Sequence, residues 1–96
     1  MLFFMFECKP SVQAEDLADY GGAFVNCWVD EDNRHKAERI ATDVIVSEGW
    51  EVTQIEEAYP ITAADYEGNS EGLKHYLEAE RTNLSLVFCA WPVEEW

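Results

Sequence analysis

The sequence predicts an α+β fold: a two-layer sandwich in which a four-stranded mixed sheet carries two helices on one face. Three observations predict it. The stretch Gly22–Glu57, GAFVNCWVDEDNRHKAERIATDVIVSEGWEVTQIEE, reads as strand, amphipathic helix, glycine stop and strand, one complete βαβ unit. Apolar, strand-like runs flank it at Leu2–Cys8 and Leu84–Trp91. A second helical pattern, Ser70–Arg81, stands immediately before the last run. The 96 residues have room for one core, so the chain is expected to be a single α+β domain, 1–96, with 92–96 as a loose tail.

In Leu2–Cys8 the residues Leu2, Phe4 and Phe6 share one face and Phe3 and Met5 the other, the pattern of a central strand covered on both faces. Its six apolar residues are too few for a signal sequence or a membrane span, and Lys9-Pro10 ends the run. Ser11–Gly22 is a connector in which Ser11 could cap one short turn ended by Gly21-Gly22. In Ala23–Asp30 one face is compact (Ala23, Val25, Cys27, Val29) and the other bulky (Phe24, Asn26, Trp28). The compact face suits close approach of a helix, and the bulky face needs other cover. Asp30-Glu31-Asp32 offers an N-cap and favourable negative charge for the helix that follows. Its apolar residues Ala37, Ile40, Ala41, Val44 and Ile45 form one stripe, and Gly49 stands where a left-handed stop belongs.

Trp50–Tyr59 is expected to be a strand, but Val52 and Ile55 share a face only if a bulge lies between them. Its glutamates Glu51, Glu56 and Glu57 suit an edge strand that discourages unwanted pairing. Thr62–Asp65 resembles a capping box opening a single turn that Gly68 ends. The second helix would present Leu73, Tyr76 and Leu77 inward and close at Asn83. Two helices over a four-stranded sheet suggest a ferredoxin-like type of sandwich, although the order ββαβαβ differs from the standard βαββαβ, and the third strand would be parallel to the second if they share a sheet. The phrases GAFVNCWV and EGWEVTQIEE resemble segments of small bacterial α+β proteins of ferredoxin-like type that have no assigned function, so the resemblance implies a fold and no site residues.

Charge restricts partners. Twenty acidic against six basic residues give a formal net charge of −14, which disfavours direct binding to nucleic acid or an anionic membrane. A basic protein partner, including one for which the chain mimics nucleic acid, fits the sign. Cys8, Cys27 and Cys89 lie in apolar runs without metal-like spacing, which suggests buried thiols and a cytoplasmic protein. Neither Glu31/His35/Glu38 nor Glu71/His75/Glu78 reads as a metal site, because both histidines fall opposite the apolar stripes and solvated ion pairing explains them. No cofactor is implied.

The remaining signal is a surface. Two helices on one side leave the Phe24, Asn26 and Trp28 face open, joined by Val87, Cys89 and Trp91 if the last strand turns Leu84, Leu86 and Phe88 toward the helices. The face would measure about 350 Å², near the size at which an apolar patch marks an interaction site. A homodimer through this sheet face is the leading expectation, making the chain a self-associating protein-interaction module. The connector and tail, with Trp96, could instead fold across it. A third reading is a small-molecule-binding dimer. Cofactor-independent monooxygenases of ferredoxin-like fold set Asn, Trp and His or Arg around an apolar pocket, and Asn26 between Phe24 and Trp28 is similar in kind. The sequence alone assigns Asn26 no second polar partner.

Overall fold

The computed structural model describes residues 1–93. Strands β1 (Leu2–Pro10) and β2 (Tyr20–Val29) form an antiparallel pair, followed by helix α1 (Arg34–Ser47), strand β3 (Trp50–Pro60), helix α2 (Ser70–Thr82) and strand β4 (Leu84–Pro92). Short 3-10 turns occupy Glu15–Leu17 and Ala63–Tyr66. The sheet order is β3-β1-β2-β4, and all three pairings are antiparallel. The fold is therefore α+β with an antiparallel, not a mixed, sheet. β3 does run in the direction of β2, but β1 lies between them. This order departs from that of a ferredoxin-like sandwich.

The larger correction concerns the layers. Register places Phe4 opposite Cys27 and Phe6 opposite Val25, so these share one face; Phe3 opposite Trp28 and Met5 opposite Asn26 share the other. Ala37, Ala41 and Ile45 of α1 pack on the first face, whereas Ala79 of α2 joins Phe3 and Trp28 on the second. The helices thus lie on opposite faces. The reason is in the strands: β1 and β2 are apolar on both sides, and each side must leave water. β4 obeys the same parity, with Leu84, Leu86 and Phe88 on the α1 side and Val87 and Cys89 on the α2 side.

Local chemistry explains the element ends. Asn33, rather than the acidic triplet, caps α1: its side chain accepts the Lys36 backbone N–H at 3.0 Å. Asp30 is still held to the sheet's end, donating its backbone N–H to Asn83 at 2.9 Å, so the helix cannot begin there. Gly49 (φ +95°) ends α1 in the left-handed region, where a side chain would be strained. Asn83 (φ 80°) does the same for α2. β3 is an edge strand, as its acids suggest, and its pairing to β1 slips twice, between Met5 and Phe6 and between Glu7 and Cys8. The second slip skips Thr53, which returns Val52 and Ile55 to one face. Gly21 and Gly22 belong to β2, not to a turn end. The connector does not cross the α2 face; Leu17 packs with the α1 cluster. Val93 donates its backbone N–H to Asp19 at 3.0 Å, and Trp96 lies outside the described residues. No helix of the described residues is long and apolar enough to cross a membrane.

Candidate functional site

The inner face of α2 differs from the leucine-weighted stripe that its sequence suggests. Gly72 and Ala79 are its buried positions, whereas Leu77 is 52% exposed. Small residues turn inward because bulky ones rise to meet them from the sheet and the 3-10 turn. A Cβ on Gly72 would sit 2.3 Å from Tyr66 Cδ1. The helix therefore rotates so that His75, spaced between Gly72 and Ala79, also points at the sheet. His75 stacks on Trp28 with ring centres 4.7 Å apart and planes within 16°. Its Nδ1 shares a 2.9 Å hydrogen bond with the buried Ser85 hydroxyl. The expectation that both histidines face solvent holds for His35 and fails for His75. Among the described residues, no cluster of three or more His, Cys, Asp or Glu is arranged to hold a metal ion.

Beside His75 an open cleft of about 420 Å³ separates α2 from the sheet. Its floor comes from three strands, with Phe3 and Met5 of β1, Asn26 and Trp28 of β2, and Val87 and Cys89 of β4. Tyr59, Tyr66, Glu71 and His75 stand around it. Three contacts hold the aromatic wall rigid. Phe3 meets Trp28 edge-on at 5.3 Å and Tyr59 at 5.2 Å, and Trp28 Nε1 donates to the Tyr66 hydroxyl at 2.6 Å. Burial raises the Tyr66 phenol above its ordinary pKa, with the Trp28 hydrogen bond acting in the opposite sense. Tyr59 is raised too, by burial first and by Glu57 second. Both hydroxyls are thus held in the neutral form.

One polar atom in this cleft is unanswered. Asn26 Oδ1 is buried and has no hydrogen-bond partner. Leaving such an acceptor unpaired costs about 1–3 kcal/mol, so its presence on a strand of otherwise satisfied residues calls for a reason. A larger depression of about 660 Å³, between the Ala63–Tyr66 turn and Leu73, has no imidazole, no thiol and no unpaired buried atom; it is chemically blank by comparison.

The four residues singled out in the sequence do lie on one face, but the structure divides them. Asn26 and Trp28 floor the cleft. Phe24, 37% exposed, packs on Trp91 at 5.1 Å beyond the cleft's end. Sequence reasoning missed His75, Tyr59 and Tyr66, and it placed Cys89 on the same face as Asn26 and Trp28, where the structure has it. For His75 the available signal was the small pair Gly72 and Ala79, seven residues apart, which marks a helix face in close approach to something large. Cys89 is exposed, contrary to the expectation of three buried thiols, while Cys8 and Cys27 are buried. Burial pushes Cys8 up to about 11 and raises Cys27 further, so neither is a nucleophile at neutral pH. Comparison with known proteins returns no matching family model, no matching curated protein and no matching solved structure.

Proposed function

We propose that this chain binds a small, largely apolar planar molecule in the cleft between α2 and the sheet, through a donor group presented to Asn26. The observation that carries this reading is the unpaired Asn26 Oδ1 in a cleft otherwise walled by braced aromatic rings. Such a combination, an apolar lining with few placed polar groups, is the usual make-up of a ligand site. With the Asn26 amide turned toward the cleft, the ligand's donor would satisfy Oδ1, its ring would lie against Phe3 and Tyr59, and His75 would be a second polar contact. Glu71 is the charged group at the cleft, and the chain carries a net −14, so neutral or cationic ligands are favoured over anions.

Cys89 supplies the test. It lines the cleft, and it is exposed where the other two thiols are buried, so iodoacetamide should modify it selectively. Phenol or indole at millimolar concentration should slow that modification, and benzoate should not. Asn26→Ala should weaken the protection about tenfold, the equivalent of one hydrogen bond of roughly 1.4 kcal/mol. Unchanged Cys89 alkylation with every neutral and cationic aromatic tested would refute the proposal.

A further inference from the structure

The two edges of the sheet are unlike. β3 carries Glu51, Glu56 and Glu57 and slips twice against its neighbour, both of which obstruct a further strand. β4, Leu84–Pro92, contains no charged residue in nine positions, in a chain that is 27% charged. Only one other strand is free of charge, β2, and β2 has a strand on each side. β4 has the composition of an interior strand and the position of an edge. Phe88, Cys89 and Ala90 at its centre are exposed, and among the described residues no strand lies beyond it.

From this we infer that β4 pairs with β4 of a second copy, antiparallel, to make one continuous eight-stranded sheet. Charge selects the occupant. Two copies at −14 each repel one another over most of their surface, and the neutral β4 edge is where they can approach. A basic partner would gain nothing from that edge and would be drawn to the acids elsewhere. Antiparallel self-pairing is also closed: each copy uses the same strip, and no third copy can add. With the dyad near Phe88, the two clefts open on the same side of the joined sheet, and Cys89 of one copy lies across from Val87 of the other. The inference is independent of what the cleft binds.

Size sets the strength. A nine-residue strand is about 30 Å long and, at roughly 10 Å thick, offers about 300 Å² per copy. That is below the roughly 800 Å² per partner of a standard stable interface, so the dimer should be concentration-dependent, in the micromolar range. Sedimentation velocity from about 5 to 500 μM should show monomer passing to dimer. The dimer should strengthen from 50 to 500 mM salt, because screening relieves repulsion while the contact itself is uncharged. Phe88→Lys and Ala90→Lys should each weaken it at least tenfold, whereas Glu56→Ala on the β3 edge should leave it unchanged. Hydrogen exchange of the unaltered chain gives a reading that needs no variant: β4 amides should gain protection as concentration rises. A monomer at every concentration, a dimer indifferent to both lysines, a dimer weakened by salt, or β4 exchange independent of concentration would each overturn the inference. So would a foreign strand peptide that adds to β4 while the chain itself stays monomeric.

Discussion

Under α1 the sheet presents Phe4, Phe6, Val25, Cys27 and Val29, all sealed from water and packed on Ala37, Ala41 and Ile45. Under α2 it presents Phe3, Trp28 and Asn26, hydrogen-bonded to Tyr66 in one place and unpaired in another. The first face is dry and filled by aliphatic and phenyl groups that need only fit. The second is built from rings with polar ends, and a cleft remains in it. A domain this small needs most of its stability from one well-packed layer. That layer leaves the other free to carry an unsatisfied atom.

Four measurements would test this contrast. Phe6→Ala, on the α1 face, should cost about 3–5 kcal/mol in urea unfolding, and Met5→Ala, half-buried on the α2 side, about half as much or less. Equal losses would mean that the two faces bear stability alike. Alkaline pH should act next, through the α1-side thiols. Cys8 is raised from 9.0 to about 11, so the folded state resists ionisation that the unfolded chain undergoes at about 9. The stability from keeping Cys8 neutral is fully present below pH 9 and is lost as pH rises through about 11. It amounts to roughly 3 kcal/mol, and Cys27 adds in the same sense. Unfolding midpoints that stay level from pH 7 to 11 would contradict it.

Gly72→Ala should cost about 1–3 kcal/mol, because its Cβ would displace Tyr66 and with it the Trp28 hydrogen bond. A loss of the Trp28 indole N–H shift in NMR would report that displacement directly. The smallest effect has the opposite sign. Asn26→Val should raise stability by about 1 kcal/mol, since it removes a buried unpaired acceptor and suits a strand, while abolishing protection of Cys89 by phenol. A destabilised Asn26→Val protein would show that the amide is needed by the fold and not reserved for a ligand.

Much of the fold was legible because local signals agreed with the packing. The α1 stripe, the Gly49 stop and the compact Ala23–Val29 face all pointed to one contact, and they make it. The condition set on Val52 and Ile55 is met by the Thr53 bulge. The site was less legible. α2 carries two competing stripes, leucines at 73 and 77 and the small pair at 72 and 79. Hydrophobicity favours the first, but close approach to Trp28 and Tyr66 imposes the second. With that rotation His75 passed from solvent into the cleft that Asn26 also lines, and it stacks on Trp28 from nearly fifty residues away in sequence.

Element order, the two-sided apolar character of β1 and β2 and the acidic surface could be read along the chain, because each depends on neighbours within a turn or two. The packing of the whole domain set the helices on opposite faces, left Asn26 unpaired beside a cleft, and put the charge-free β4 at an edge. Those outcomes depend on which strand lies beside which, and strand order is set by the burial of the whole sheet at once, not by any single segment.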